Sequence, residues 1–280
     1  MDIAAYDAWR GRTETLTERL DGWPVRGLQA LLDTQPDARE GSIAPALAQW
    51  LWFAPMVPRS QVDTDGHPRR GGFLPPVALP RRMWAGSDIR FHAPMTIGAT
   101  VRKTMTIDDI ALKQGSSGPL VFVRVHNAYA SADDDALLLD ETQILVYRDP
   151  PGTDEPAPRP RPAPEDPAWS SEIAVDAAMM FRYSAVTFNA HRIHYDSDYS
   201  RDVEGYPAIL VQGQLGATLM IEALLARTGG QRPASFSFRG VQPIHVDEPV
   251  VVEGSPTADG WNLWIRDTNG MLRMTARTGG

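Results

Sequence analysis

A proline-dense segment near the middle of the chain constrains the fold most. Residues 149–167, DPPGTDEPAPRPRPAPEDP, contain eight prolines. Because proline cannot donate to a β ladder or continue a helix, this segment is predicted to be an extended, semi-rigid linker. PRPRP also fits a polyproline ligand for a proline-binding module, although a tether between two halves is the simpler interpretation. The sequence therefore predicts an N-terminal domain at residues 1–148, a linker at 149–168 and a C-terminal domain at 169–280.

The composition excludes several classes of function. With 280 residues, 42% of them hydrophobic, the chain can bury a sizeable core in each of two domains. The net charge of -8, without a Lys/Arg block interleaved with aromatic residues, argues against nucleic-acid binding. The absence of cysteine excludes disulfides, thiolate metal sites and cysteine nucleophiles. No apolar signal-peptide core opens the chain, so we expect a cytoplasmic protein that does not bind membranes.

Both halves show one order of elements, in which a helix precedes a run of strands. In the first half, residues 25–33 predict a short helix and residues 43–53 a longer buried one that carries Trp50, Trp52 and Phe53. The strands predicted in this half lie at residues 89–92, 100–107, 120–130 and 137–147. These elements are typical of an α+β domain with a sheet curled around a helix.

The second half repeats this order. Residues 181–186 predict a short strand, and residues 215–227 predict a helix that is apolar on nearly every face and stops before two glycines. The strands predicted after it lie at residues 234–241, 249–253, 261–266 and 271–277. Two such halves fit a tandem (double) hot dog fold, in which antiparallel sheets, each wrapped around a central helix, join side by side and place a ligand at the junction.

Residues 59–87 form a segment rich in glycine and proline, which predicts a loop. The pairs Arg69/Arg70 and Arg81/Arg82 flank an apolar stretch within it. A loop that lines a pocket for an anionic ligand would have this pattern. A solvated connection with charged ends is the simpler interpretation of these residues alone.

The stretch TFNAHRIHYD, residues 187–196, concentrates the polar chemistry of the chain. Asn189 and His194 lie five residues apart, with His191 between them and Asp196 just beyond. Three interpretations are open: a metal site made by His191, His194 and Asp196, structural histidines with satisfied hydrogen bonds, or a proton-transfer site. The aromatic neighbours do not favour the helix that would bring these metal ligands together.

The residues that follow favour proton transfer. In YPAILVQGQLGATL, residues 206–219, an apolar run ends at Gln212 and Gly213, where a helix is predicted to begin. Free N–H groups at a helix start stabilise a developing negative charge. A turn glycine alone would explain Gly213. A histidine and an asparagine beside a helix N-terminus, however, are what enolate chemistry requires.

TFNAHRIHYD followed by EGYPAILVQGQL resembles the MaoC-like hydratase and dehydratase superfamily. The similarity is to the branch with type 2 hydroxyacyl-thioester dehydratases and the mesaconyl-CoA and itaconyl-CoA hydratases. In the first half, FLPPVALPRRMWAGSDIRFHAPMTIG and SGPLVFVRV are similar to that branch's N-terminal domain. The resemblance implies a double hot dog fold and is compatible with a homodimer of such units. Because the first half has no His/Asp or His/Asn pair five residues apart, we expect one site per chain, with the N-terminal domain non-catalytic and shaping the acyl pocket.

The resemblance implies reversible addition of water to an enoyl thioester. In the superfamily an aspartate and a histidine five residues apart activate the water, and these positions fall on Asn189 and His194. The helix-start motif, usually His-Gly, is here Gln212-Gly213. We therefore expect His194 to do both the acid and the base work, Asn189 to orient the water, and the N–H groups at Gly213 to hold an enolate.

The resemblance favours coenzyme A thioesters with a short, branched or dicarboxylic acyl group, and hydration of mesaconyl-CoA or itaconyl-CoA to citramalyl-CoA is the expected reaction. No metal is expected, and no cofactor beyond the coenzyme A of the substrate. The alternatives are a dehydratase of fatty-acid or polyketide synthesis acting on acyl carrier protein or coenzyme A, a hot dog thioesterase using Asp196, and a non-catalytic acyl-thioester binding protein. The residues predicted to contact substrate are Arg81, Arg82, Trp84, His191, Arg192, Tyr206, Gln212 and Gln214.

Overall fold

The computed structural model describes residues 2–35, 37–115, 118–150 and 159–280. Its strands are β1 (Thr13–Arg19), β2 (Arg81–Phe91), β3 (Thr100–Gly115), β4 (Gly118–Ser131), β5 (Leu137–Arg148), β6 (Trp169–Ile173), β7 (Ser235–Gly240), β8 (Val250–Thr257), β9 (Gly260–Asp267) and β10 (Leu272–Gly279). Its α-helices are α1 (Gly22–Leu31), α2 (Ala177–Thr187) and α3 (Gly213–Arg227). Short 3-10 turns lie at Ile3–Trp9, Ala48–Leu51, Arg59–Gln61 and Arg192–His194, and a π turn at Tyr199–Val203.

The strands of both halves form one continuous antiparallel sheet. Its order is β1-β3-β4-β5-β2-β7-β10-β9-β8-β6. The halves meet where β2 pairs with β7, from Gly86 opposite Arg239 to Arg90 opposite Ser235. The side-by-side joining of two sheets that the sequence predicts is therefore present, and β2 lies at the junction where a ligand is expected.

Helix α3 is the central helix of the second half and confirms the prediction at residues 215–227. Seven of the eight residues from Leu215 to Glu222 are buried, and the helix packs against β8, β9 and β10. A helix that is apolar on all sides is stable only when other elements cover it on all sides. The sheet therefore fixes where α3 begins, and with it the position of its N-terminus.

The longer helix predicted for the first half at residues 43–53 is wrong. This segment forms only the 3-10 turn Ala48–Leu51, although Trp50, Trp52 and Phe53 are buried as expected. Leu47 and Phe53 have positive φ angles of 61° and 58°. Because the left-handed conformation on both sides of the turn cannot continue a right-handed helix, the segment packs as an irregular chain.

The strand predicted at residues 181–186 is also wrong, because these residues belong to α2. Asp176 caps this helix: its side chain accepts a hydrogen bond from the Met179 N–H at 2.7 Å. Alanine and methionine at the helix start add high helix propensity. The predicted strands at 89–92, 100–107, 120–130 and 137–147 correspond to β2–β5, and the four predicted after α3 correspond to β7–β10.

The predicted loop at residues 59–87 ends earlier than expected. Strand β2 begins at Arg81, which pairs with Arg148 of β5, so that Arg81 and Arg82 lie on a strand. Within the linker, residues 151–158 lie outside the described residues, and the domain boundaries remain a prediction. Residues 159–168 lie against the second half. The Arg161 carbonyl oxygen accepts a hydrogen bond from the Leu272 N–H at 2.8 Å. No helix among the described residues has the length and hydropathy to cross a lipid bilayer.

Candidate active site

The loop after α2 holds the rings of His191 and His194 close together. The side-chain oxygen of Asn189 accepts a hydrogen bond from the backbone N–H of His191 at 3.0 Å, and Arg192–His194 form a 3-10 turn. The rings of His191 and His194 consequently lie 5.2 Å apart between centroids, at 86° to one another. The Asn189 oxygen therefore shapes the loop, and its NH₂ group is the part left to contact a water.

His194 is held as a neutral base. Its Nδ1 donates to the carbonyl oxygen of Leu210 at 2.7 Å, which leaves the Nε2 lone pair free. Burial lowers the pKa of His194 to about 4, although the Leu210 hydrogen bond opposes this shift. At neutral pH His194 can therefore accept a proton.

The N-terminus of α3 lies next to His194, because Leu210, to which His194 donates, precedes the first residue of the helix by three positions. Gln212 is fully buried, and its amide nitrogen donates to the Met180 carbonyl at 3.1 Å and to Ser184 Oγ at 2.9 Å. The structure thus places Gln212 as an anchor between α3 and α2. Gly213 is exposed, and a Cβ there would meet no atom within 4 Å. The first N–H groups of α3 are therefore open to a ligand.

A third histidine, contributed by the N-terminal half, completes the cluster and was missed in the sequence. The ring of His67 lies 4.1 Å from that of His191 between centroids. Nδ1 of His67 donates to the carboxylate of Asp65 at 3.0 Å, and its backbone N–H donates to the same carboxylate at 2.9 Å. Asp65 is buried. The three imidazoles form one cluster that crosses the boundary between the halves.

Gly66 allows the two loops to touch. Its φ angle is +90°, and a Cβ at this position would overlap the carbonyl oxygen of Ala190 and lie 3.2 Å from the Arg192 nitrogen. The Arg192 N–H donates to the Asp65 carbonyl at 2.9 Å. Only glycine permits this approach, so Asp-Gly-His was the local signal that could have revealed the pair.

Burial, together with the charges around the cluster, lowers the pKa of its histidines and keeps them neutral. Burial lowers the pKa of His67, and Arg82 and Arg70 lower it further against the opposing effect of Asp65. Burial also lowers the pKa of His191, with added effects from the neighbouring imidazoles and Arg82. Although burial alone would raise the pKa of Asp65, the side-chain and backbone hydrogen bonds from His67 and the charge of Arg82 hold it below its usual range. The site therefore combines neutral imidazoles with one ionised carboxylate.

The donor atoms of Asp65, His67 and His191 lie within 4.8 Å of one another, the one group of this kind that we find within residues 2–35, 37–115, 118–150 and 159–280. These side chains are of types that bind zinc. However, Asp65 and His67 already bond to one another, and Arg82 places a positive charge beside them. We therefore interpret the group as a proton-transfer cluster.

Asp196 does not face the cluster. One of its carboxylate oxygens accepts two hydrogen bonds from Arg192, at 2.7 and 3.0 Å, and the other accepts one from the Tyr199 N–H at 3.0 Å. The metal set of His191, His194 and Asp196 is consequently not assembled. Because Arg192 also donates to the Thr64 carbonyl, this arginine is occupied in joining the two loops.

A narrow crevice opens beside the cluster between the two halves. Its lining residues are Asp65, Pro80, Arg81, Arg82, Met83, His191, Ile193, Glu204 and Tyr206. Arg81 is neutralised, since its Nε lies 2.7 Å from a carboxylate oxygen of Glu204 and its guanidinium lies 5.2 Å from the Tyr206 ring centroid. Arg82 is half-buried and has no carboxylate within ion-pair distance in the described part of the chain. Of the two arginines that line the crevice, Arg82 is the one without an ion pair to a described residue.

Two further residues predicted to contact substrate are Trp84, which lies away from the crevice, and Gln214, which lies at the start of α3. The Trp84 ring packs edge-on against Trp50 at 5.5 Å, and its N–H donates to the Gly86 carbonyl and to Ser87 Oγ, both at 3.0 Å. Trp84 therefore belongs to the core of the N-terminal half. Gln214 is half-buried in the first turn of α3.

Comparison with known proteins agrees with this architecture. The model of the hydroxyacyl-thioester dehydratase type 2 family matches residues 47–246. The chain is 40% identical over 279 residues to mesaconyl-C(4)-CoA hydratase of Chloroflexus aurantiacus, covering 99% of this chain and 98% of that protein.

Two solved structures support the fold. HtdX of Mycobacterium tuberculosis superposes with a TM-score of 0.69 at 20% identity, covering 95% of this chain and 98% of the other. A second protein of that organism, described as having a double hotdog fold, superposes with a TM-score of 0.62 at 15% identity, covering 96% and 95%. The predicted tandem hot dog fold and family resemblance are confirmed. The chain belongs to the hydroxyacyl-thioester dehydratase type 2 family.

Proposed function

We propose that this enzyme catalyses the reversible addition of water to an enoyl-CoA thioester, and that mesaconyl-C4-CoA is its substrate. The observation that carries the proposal is the histidine cluster beside the open N-terminus of α3. It occurs in a chain that is 40% identical, over nearly its full length, to a mesaconyl-C(4)-CoA hydratase. The scheme requires no cofactor beyond the coenzyme A of the substrate.

The substrate sets two demands on the site. In mesaconyl-C4-CoA, the β-carbon of the enoyl thioester carries a methyl group and a free carboxylate, and the α-carbon carries one hydrogen. Hydration adds OH to the β-carbon and H to the α-carbon, which gives a citramalyl thioester. The site must therefore activate water next to a negative carboxylate, and it must stabilise an enolate on the thioester oxygen.

His194 and α3 meet the chemical demand. Nε2 of His194 accepts one proton from water as the water oxygen bonds to the β-carbon, and the C=C electron pair moves onto the thioester oxygen. The N–H groups at Gly213 and its helix neighbours donate to that enolate oxygen. The His194 imidazolium then protonates the α-carbon, which restores neutral His194 and the thioester carbonyl. The NH₂ group of Asn189 orients the water.

Arg82 meets the electrostatic demand. Arg81 is paired with Glu204 and Arg192 with Asp196, whereas Arg82 has no ion-pair partner among the described residues. Although burial raises the pKa of Asp65, the hydrogen bonds from His67 and, to a smaller extent, the nearby charge of Arg82 lower it. The substrate carboxylate is bonded to the β-carbon that the water attacks, so it must lie beside the water and therefore near the histidine cluster and Arg82. We therefore expect Arg82 to bind this carboxylate.

The test measures hydration of mesaconyl-C4-CoA, the itaconyl isomer and crotonyl-CoA, following loss of enoyl absorbance and release of free thiol. We expect hydration of the mesaconyl substrate without thiol release, and its loss in His194→Ala. Arg82→Met should lower kcat/KM for mesaconyl-C4-CoA by roughly 100-fold, because a desolvated charge partner is removed. It should change crotonyl-CoA hydration little, since crotonyl-CoA has no carboxylate. The exposed Arg69→Met serves as the matched control.

Each other outcome points to another function. Thiol release without hydration would indicate a thioesterase, and ligand binding without turnover would indicate a binding protein. The family description favours a second candidate, a dehydratase acting on 3-hydroxyacyl thioesters. A linear hydroxyacyl chain offers no carboxylate to Arg82. Faster turnover of such a substrate, unaffected by Arg82→Met, would therefore replace the dicarboxylic assignment.

A further inference from the structure

We propose that Asp65 and His67 form a second catalytic pair, in which Nε2 of His67 holds the attacking water together with His194. The N-terminal half would then supply part of the catalytic machinery, in addition to shaping the acyl pocket. This inference rests on the proposed hydration reaction and names a further residue that contacts the reacting water.

The geometry of the pair presents one free nitrogen to the cluster. The Asp65 carboxylate accepts from Nδ1 of His67 at 3.0 Å, so the lone pair of the neutral ring lies on Nε2. Nε2 has no hydrogen-bond partner among the described residues. A histidine that served only to hold the loop together would have no need of that free nitrogen.

The pair is fixed in place against the catalytic loop. The same carboxylate also accepts from the His67 backbone N–H at 2.9 Å. The Asp65 carbonyl accepts from the Arg192 N–H at 2.9 Å, and Gly66 removes the Cβ that would separate the loops. The ring of His67 packs against that of His191, tilted by 40°, with the centroids 4.1 Å apart. A catalytic group must be held at this level of precision to be effective.

The chemistry of the second half explains the need for such a pair. In the second half the polar side chain near His194 is Asn189, whose amide carries no charge and transfers no proton. His194 is oriented by a neutral carbonyl, so its imidazolium would have no anionic partner of its own. The Asp65–His67 pair brings a buried carboxylate into the cluster, as the aspartate of a catalytic triad does for its histidine.

Atoms and electrons balance in the hydration step. One O–H of the water donates to Nε2 of His67 and stays on oxygen, becoming the hydroxyl hydrogen of the product. The other proton passes to Nε2 of His194, the oxygen electron pair forms the C–O bond, and the alkene pair becomes the enolate. The proton on His194 then reaches the α-carbon. Both histidines end neutral, and the Asp65 charge stabilises the intermediate imidazolium through space.

The test separates water activation from α-carbon chemistry. A saturated analogue, methylsuccinyl-CoA, can exchange its α-hydrogen in D₂O through His194 and the α3 N-terminus without any attacking water. In His67→Ala we expect kcat for hydration to fall roughly 100-fold with KM nearly unchanged, while α-hydrogen exchange stays within about threefold of wild type. His194→Ala should lose both activities. His67→Gln, which keeps an acceptor, should retain more hydration than His67→Ala, and Asp65→Asn should reduce hydration alone.

The control is His92→Ala. His92 also pairs with an aspartate, Asp140, at 2.7 Å, but its side chain is 40% exposed. It should affect neither activity. Two outcomes would overturn this inference but leave the proposed function standing. One is unchanged hydration in His67→Ala. The other is an equal loss of hydration and of exchange in His67→Ala, His67→Gln and Asp65→Asn. A wild-type protein that hydrates no enoyl thioester would overturn the proposed function, and this inference with it.

Discussion

The ion pair between Arg81 and Glu204 tests how the two halves are held together at the site. Arg81 begins β2 in the first half, and Glu204 follows the π turn in the second. Their side chains are 7% and 12% exposed, with the two charged atoms 2.7 Å apart. Arg81 also donates to the Glu204 carbonyl oxygen. The substitution Glu204→Gln removes the carboxylate charge while keeping the shape.

The expected loss of stability follows from this burial. Breaking a buried pair by removing one partner costs about 3–5 kcal/mol, because the other charge stays desolvated. The amide oxygen that Glu204→Gln introduces can still accept one hydrogen bond, which returns about 1 kcal/mol. We therefore expect the free energy of unfolding to fall by about 2–4 kcal/mol, and the Tm to fall by roughly 4–16 °C.

Urea denaturation followed by tryptophan fluorescence measures this loss. The matched control is Asp202→Asn, which breaks an exposed ion pair with Arg201 and should change the free energy of unfolding little, because solvent screens the two charges. The double variant Arg81→Met/Glu204→Met removes both charges and should be more stable than Glu204→Gln, since no unpaired charge remains. If Glu204→Gln were no less stable than Asp202→Asn, the pair would not hold the halves together.

Three further predictions address the cluster and its supports. Gly66→Ala should lower hydration at least roughly 100-fold with an unchanged far-UV CD spectrum, because the added Cβ would push the His67 loop away from Ala190. Gln212→Leu should reduce the free energy of unfolding in urea by about 1–3 kcal/mol, because it removes two buried hydrogen bonds to α2. Since burial lowers the pKa of His194 to about 4, kcat/KM should stay level from about pH 8 to about pH 5.5 and fall below that as His194 becomes protonated. An acid limb near the ordinary histidine pKa would contradict the last prediction.

The strands were predictable because their pattern is local, whereas two helical assignments depended on context. Alternating side chains and turn clusters located β2–β5 and β7–β10 from the sequence. An apolar run such as residues 43–53 fits a buried helix equally well by periodicity. The left-handed conformations of Leu47 and Phe53, which break that helix, arise from packing against the sheet and have no signal in the pattern.

The candidate site was only partly predictable from the sequence, again because local patterns were visible and contacts between distant segments were not. Asn189 and His194 share one short loop, so their spacing alone indicated a site. Asp65 and His67 reach that loop only because the two halves share one sheet, so the cluster takes side chains from both halves. A search of each half for a self-sufficient pair, which is reasonable for a duplicated unit, must miss a site divided between the copies. The glycine between Asp65 and His67 was the local trace of that division, because a left-handed residue without a side chain between two polar groups indicates that another backbone comes close.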